Sequence, residues 1–216
     1  MSEKIYNTED SRGFWMTRTN NSPNNRPVAY ANATLDRTKE LYRYIEDYID
    51  SEYHIIEVGC NVGRNLNYLY SKDVRKLIGV EINPEALKMG SELYVDMFND
   101  SSSLFLNGAA GDILPTLNNG RSINLCFTMA VMIHMSNEEQ DFTMKWISKN
   151  CNIACFIELV EGQKRLGSTS GHFHNPLDIN YNILVDAGFK ITTQEKFKAL
   201  QPNGPYTITI LKRCRR

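Results

Sequence analysis

This sequence predicts an open α/β sheet of mostly parallel strands with helices on both faces, and three observations carry that reading. Apolar runs of strand length alternate with stretches of helical periodicity through most of the chain. A glycine turn, Gly59 to Gly63, joins the first such strand to a helix, and an acid, Glu81, closes the second strand. The chain finishes in two strands joined by Pro202-Asn203-Gly204-Pro205, a hairpin that sets one antiparallel strand into the sheet. With 216 residues, 42% of them hydrophobic, there is enough apolar surface for one such domain.

Residues 1–32 are a polar arm rich in Asn, Ser, Thr and Arg, interrupted by Phe14-Trp15 and by Pro23 and Pro27. Such a terminus is either disordered or, because a tryptophan needs an apolar seat, a lid over the site. The domain proper, 33–216, opens with a helix near 34–50, where Leu41, Ile45, Tyr48 and Ile49 make an apolar stripe. Strand 53–58, helix 64–72 and strand 76–81 follow. Asn83 caps a helix over 84–98 and Pro84 sits in its first turn. Strands 103–107 and 123–129 come next. Ser136-Asn137-Glu138-Glu139 is a capping box that starts a helix running to 149. After strand 152–159 comes a polar stretch, Gly162 to Asn175. Asn175-Pro176 then opens a helix that Gly188 closes. Strands 189–197 and 206–213 complete the chain, which shows no internal repeat and no second domain.

The formal net charge is −1, with 24 Lys and Arg against 25 Asp and Glu. That balance argues against an extended nucleic-acid footprint. Lys212, Arg213, Arg215 and Arg216 form the one basic cluster and read as a solvated tail. Five cysteines are an odd number without the spacing of a disulfide framework. Cys151 and Cys155 are not matched by a second close Cys or His pair that would complete a zinc site, and metal binding by His172 and His174 is the minority reading beside a plain polar loop. Met1 is not followed by an apolar stretch, and no run approaches membrane-spanning length. The expectation is a reduced, cytoplasmic protein with no membrane partner and an unspecified oligomeric state.

The details of the glycine turn choose between nucleotides. A dinucleotide site uses G-x-G-x-x-G to bring a pyrophosphate onto a helix N-terminus. Here the spacing is G-x-x-x-G, and Asn61 stands where the middle glycine would be. Glu57, just before the turn, would repel a pyrophosphate and attract an ammonium group. S-adenosylmethionine has an amino-acid tail, a ribose, an adenine and no phosphate, which suits this charge pattern. Glu81, at a strand's carboxyl end, is placed to bind both ribose hydroxyls. The plain structural alternative is a tight turn with no ligand.

Glu57-Val58-Gly59-Cys60-Asn61-Val62-Gly63 resembles the first motif of the class I S-adenosylmethionine-dependent methyltransferases. Gly79-Val80-Glu81-Ile82-Asn83 resembles their second motif and Gly111-Asp112-Ile113 their third. Thr128-Met129-Ala130-Val131-Met132-Ile133-His134 resembles the strand end that faces the transferred methyl. Order and spacing agree over residues 33–213. The resemblance implies a Rossmann-like seven-stranded sheet and S-adenosyl-L-methionine as cofactor, with S-adenosyl-L-homocysteine as product. It implies that Glu57, Gly59, Cys60, Asn61, Gly63 and Asn65 surround the methionine part and that Glu81 binds the ribose. Ile82, Gly111, Asp112 and Ile113 would meet the adenine, and Thr128 and Met129 would lie near the methyl. Asp112 could instead cap a short helical turn. A closer resemblance, to a methylase group of bacterial surface-sugar biosynthesis that includes pseudaminic acid gene clusters, rests on Val58 to Leu66, Gly79 to Asn83 and Val131 to His134. Glu158, Gly171-His172 and Phe14-Trp15 add to it.

Methyl transfer from a sulfonium asks the protein mainly to place the acceptor and exclude water. A hydroxyl acceptor must also lose a proton. His134 is a candidate base, or else a histidine satisfied by a backbone partner. Glu158 interrupts an apolar strand, which suggests an acid that meets the acceptor. Glu161 follows that strand. His172 is a candidate acceptor contact on the Gly162 to Asn175 stretch, and His174 lies beside it. Neither the Pro-Pro-Tyr/Phe sequence of amino-directed base methylases nor a Pro-Cys pair is present. The sequence therefore points to methylation of a small polar metabolite, at an oxygen of a sugar or carboxylate. A protein or RNA methyltransferase and a non-catalytic cofactor-binding module remain as alternatives.

Overall fold

The computed structural model describes residues 8–117, 123–159, 181–203 and 206–214. Its strands are β1 (His54–Val58), β2 (Leu77–Glu81), β3 (Leu104–Asn107), β4 (Ile123–Met129), β5 (Ile153–Leu159), β6 (Phe189–Lys196) and β7 (Tyr206–Arg213). They form one seven-stranded sheet in the order β3-β2-β1-β4-β5-β7-β6. Pairings among β1 to β5 are parallel, and β7 runs antiparallel to both β5 and β6. Every residue of β2 and β5 is buried. Parallel strands covered on both faces need such unbroken apolar runs, which is why these segments read as strands without alternation.

The helices are α1 (Thr8–Met16), α2 (Pro27–Ala31), α3 (Asp36–Ile45), α4 (Arg64–Tyr70), α5 (Pro84–Leu93), α6 (Val95–Asn99), α7 (Ala110–Ile113), α8 (Asn137–Asn150) and α9 (Asn182–Asp186). Leu41 and Ile45 of α3 are fully buried, as their spacing predicts. Asn83 caps α5 by accepting from the Glu85 and Ala86 amides at 3.0 and 3.3 Å. Ser136 and Glu139 complete the capping box of α8. The helix expected over 84–98 is divided, because Tyr94 leaves helical geometry between α5 and α6. Two helices in the arm, α1 and α2, have no counterpart in the sequence reading. The opening of the helix expected from Asn175-Pro176 lies outside the described residues, but Gly188 ends α9 with φ 89°.

Cys126 in β4 and Cys155 in β5 are buried among apolar side chains, as strand positions imply, and Cys151, at the C-cap of α8, is buried as well. Arg213 corrects the reading of a solvated tail. Its guanidinium donates to the carbonyls of Ala187, Ser148 and Cys151 and lies 4.5 Å over the Phe189 ring. A β7 position beside the end of α8 supplies unpaired carbonyls that an arginine can satisfy. Among the described residues no helix is long and apolar enough to cross a membrane. The chain passes from β1 to β2 and β3 on one side and returns to β4 on the other. That reversal opens a crevice beyond the carboxyl ends of β1 and β4.

Candidate active site

After β1 the backbone is left-handed at Gly59, Asn61 and Gly63, with φ of 76°, 52° and 81°. Glycine takes this conformation freely and asparagine tolerates it. At Gly59 a side chain would also overlap the methyls of Val131, so the glycine lets the exits of β1 and β4 approach each other. The Asn61 amide donates to Glu81 Oε2 and the Asn83 amide to Glu81 Oε1, both at 2.8 Å. Glu81 thereby ties the turn to the end of β2 while its oxygens keep lone pairs for further donors. Burial pushes its carboxyl up, and the amides of Asn83 and Asn61 oppose that.

Glu57 is held by a buried relay. Its Oε1 accepts from Asn65 Nδ2 at 2.7 Å, and Asn65 Oδ1 accepts from Thr38 Oγ1 at 2.6 Å. Its Oε2 is buried and accepts nothing from the described residues. Burial raises the Glu57 carboxyl to about 8, against the lowering effects of Asn65 and Arg64.

A cavity of about 210 Å³ opens at this point, more than ten times the ~10–15 Å³ that one water needs. Glu57, Gly59, Cys60, Asn61 and Asn65 line it from the β1 side, and Glu81 and Ile82 from β2. Met129 and His134 line it from β4, and Tyr206 and Leu200 from the β7 side. Gly63 is outside this lining and stands at the N-cap of α4. Gly111, Asp112 and Ile113, expected at the adenine, fall outside the lining, and Gly108, Ala109 and Ala110 stand there instead. The turn into α7 puts Asp112 on the outer side, 65% exposed, with its Oδ2 3.1 Å from Arg12 Nη1. It is not a cap either, since Ala109 holds that position.

The β4 exit is shaped by a left-handed Ala130, φ 56°, and a 3₁₀ turn at Met132–His134. Glu158 Oε1 accepts from Thr128 Oγ1 at 2.9 Å, the Val131 amide at 3.0 Å and the Met132 amide at 3.1 Å. Burial raises Glu158 to about 7, and the Val131 and Met132 amides counter it. Both Glu158 and Thr128 are fully buried and outside the lining. Glu158 was expected to meet the acceptor; here its Oε1 serves the turn after β4. A buried turn with three donors needs an acceptor, and the β5 acid beside it supplies one. His134 does face the cavity, with its ring 4.6 Å from that of Trp15 and its carbonyl accepting from Ser11 Oγ at 2.6 Å. His172, Glu161 and His174 lie outside the described residues.

The arm packs over this cavity, with Ser11, Arg12, Trp15, Asn25 and Tyr30 in its wall. Arg12 donates to Glu139 Oε1 at 2.7 Å and to Asp112 Oδ2 at 3.1 Å. Asn83 Nδ2 donates to the Arg18 carbonyl at 3.0 Å. Sequence reasoning missed Arg12, Arg37 and Arg64 as wall residues. Only Trp15, an aromatic in a polar arm, signalled that this segment had a seat. Among the described residues no cluster of His, Cys, Asp and Glu could hold a metal ion.

No protein-family model matches the chain, and no curated protein matches it in sequence. Solved structures do match. A methyltransferase dependent on S-adenosylmethionine from Anabaena variabilis is 15% identical with a TM-score of 0.67, over 99% of this chain and 98% of that one. Geranyl diphosphate C-methyltransferase from Streptomyces coelicolor was solved with Mg2+, geranyl diphosphate and S-adenosyl-L-homocysteine. It is 9% identical with a TM-score of 0.65, over 99% of this chain and 100% of that one. The cyclase SpnF is 13% identical with a TM-score of 0.62, over 84% of this chain and 83% of that one. The chain therefore has the fold of the class I S-adenosylmethionine-dependent methyltransferases, a fold that also serves a cyclase.

Proposed function

We propose that this protein is an enzyme that transfers a methyl group from S-adenosyl-L-methionine to a small molecule. The observation that carries the reading is Glu57, which lines a cavity at the β1–β4 reversal and whose buried Oε2 has no donor among the described residues. A buried acceptor of this kind calls for a cation, and an ammonium beside a ribose-binding acid, Glu81, describes the methionine and ribose of the cofactor. A dinucleotide would bring a pyrophosphate to the same carboxylate.

When bound, S-adenosyl-L-methionine supplies a methyl already activated on a sulfonium. Glu57 would hold the ammonium and Glu81 the ribose hydroxyls, while Ile82, Ala109 and Ala110 would flank the base. His134 faces the cavity from the β4 exit, where an imidazole nitrogen can take the proton of an acceptor hydroxyl. Trp15 and the arm act as a lid that excludes water. Trp15 and Tyr206 offer flat apolar faces, and Arg12 and Glu139 offer polar groups. That mixture suits a sugar or a small carboxylate, methylated on oxygen. Free thiols, four of them buried, fit a reducing cytoplasmic compartment.

Calorimetric titration of the folded chain with S-adenosyl-L-methionine, S-adenosyl-L-homocysteine and NAD tests the cofactor. Saturable binding of the first two and none of NAD is expected. Failure of both adenosyl ligands would end the reading. Transfer of a labelled methyl to a panel of nucleotide sugars and small carboxylates then tests the reaction.

A further inference from the structure

Arg64, the first residue of α4, is only 9% exposed, yet it makes no ion pair with the described residues. Its Nη1 donates to the Tyr30 carbonyl at 3.0 Å, and its Nε is buried without an acceptor. Burying a guanidinium is costly unless an anion completes it. One carbonyl of the arm uses one of its five donors. Arg64 lines the same cavity as Glu57, and its charge helps hold the Glu57 carboxyl down against burial. Both residues line the cavity, and each keeps a buried polar atom, Glu57 Oε2 and Arg64 Nε, without a partner among the described residues; Glu57 takes its negative charge when a cation arrives. A phosphate would satisfy Arg64 and be repelled by Glu57. An ammonium and a carboxylate on one carbon satisfy both.

We infer that Arg64 receives the α-carboxylate of a ligand's amino-acid end, whose ammonium goes to Glu57, with the Tyr30 carbonyl of the arm steadying the guanidinium. The assignment rests on the adenosyl reading above and names the residue that reads the far end of the cofactor. It differs from a purely structural Arg64 that staples α4 to the arm, because a staple treats all ligands alike.

Three ligands separate these roles: S-adenosyl-L-homocysteine, its decarboxylated amine, and methylthioadenosine, which lacks both charged groups. Affinities are measured by calorimetry on the full chain. The unaltered protein should bind S-adenosyl-L-homocysteine about 10- to 100-fold more tightly than the decarboxylated amine, the range for one charge-assisted hydrogen-bonded contact. Arg64→Gln should bring that ratio to within about 3-fold while methylthioadenosine binds as before. A ratio unchanged in Arg64→Gln, or an equal loss for all three ligands, overturns the assignment. Should Arg64→Gln not fold, Arg64→Lys keeps the charge, and an intermediate ratio is expected from it. A ratio near one in the unaltered protein overturns the assignment by itself. Binding of all three ligands without discrimination leaves the adenosyl reading standing and removes only Arg64. Binding of none by a folded sample removes both.

Discussion

Glu158 separates a supporting acid from a reacting one, and the pair Glu158→Ala and Glu158→Gln tells them apart. Alanine leaves the Val131 and Met132 amides and the Thr128 hydroxyl without their acceptor. Each buried donor left unpaired costs about 1–3 kcal/mol, and water entering the vacated space recovers part of it. A net loss of about 3–5 kcal/mol follows. Glutamine keeps a carbonyl oxygen at the Oε1 position, so its cost near pH 6 is about 1 kcal/mol. Ionisation adds a second signature. Burial raises Glu158 from 4.5 to about 7, with the Val131 and Met132 amides opposing the rise. The folded state thus holds this proton more tightly than the unfolded chain. The stability it contributes is full below the ordinary carboxyl range and is lost as pH rises through about 7. The gap between 4.5 and about 7 is worth about 3 kcal/mol at ~1.36 kcal/mol per pH unit. Glutamine has no such loss, and about 1.4 kcal/mol of it falls between pH 6 and pH 9, so glutamine should trail the unaltered protein by about 1 kcal/mol near pH 6 and draw about level with it near pH 9. Urea denaturation of the full chain at both pH values, followed by tryptophan emission, reads this directly. A Glu158→Gln as damaging as alanine near pH 6, or a gap from the unaltered protein that does not change with pH, would refute the supporting role.

Four further outcomes are expected. Glu57 sits near 8 in the ligand-free protein because of burial, and an ammonium beside it favours the ionised form. Binding of S-adenosyl-L-homocysteine at neutral pH should therefore release a proton and strengthen as pH rises toward about 8. Calorimetry in buffers of different ionisation heat shows the release, and Glu57→Gln should abolish it. Gly59→Ala combines a positive φ with overlap on Val131, and should lose about 2–4 kcal/mol in urea denaturation. Adding Val131→Ala relieves the overlap but not the φ, so only part of the loss should return. Arg12→Ala releases α1 from Glu139 and Asp112, so Trp15 should leave His134 and tryptophan emission shift to the red. Global stability should fall by only about 1 kcal/mol or less, because these pairs are partly exposed. Glu81→Ala removes the acceptor of the Asn61 and Asn83 amides as well as the acid proposed to bind the ribose, and should eliminate detectable binding of adenosyl ligands in the same titration.

The sheet was legible because its signals are local and repeated. Runs such as Ile55 to Val58 and Leu77 to Val80 need only their own residues to announce a buried strand. The turn at Gly59, Asn61 and Gly63 likewise declares its left-handed backbone in residue type. Chemistry inferred from position along a strand was less legible. Glu158 interrupts an apolar run just as a catalytic acid would, and the sequence does not say which neighbour takes its oxygen. Asp112 follows a glycine in the expected order, but the short helix α7 turns it outward to Arg12, a residue 100 positions earlier in the chain.

The sequence by itself determined the seven strands, the glycine turn and the two acids at the ends of β1 and β2, because these depend on periodicity and backbone conformation. Tertiary structure alone decided which side chains share a wall. In sequence Arg64 opens a helix and belongs to the Val58 to Leu66 stretch of the closer resemblance, with no role attached to it. Only folding removes it from water, sets it beside Glu57, and leaves its Nε without an acceptor. Trp15 and His134 are far apart in the chain and meet only because the arm packs across the exit of β4. Long-range contacts of this kind arise from packing and charge burial, which no local pattern of residues encodes.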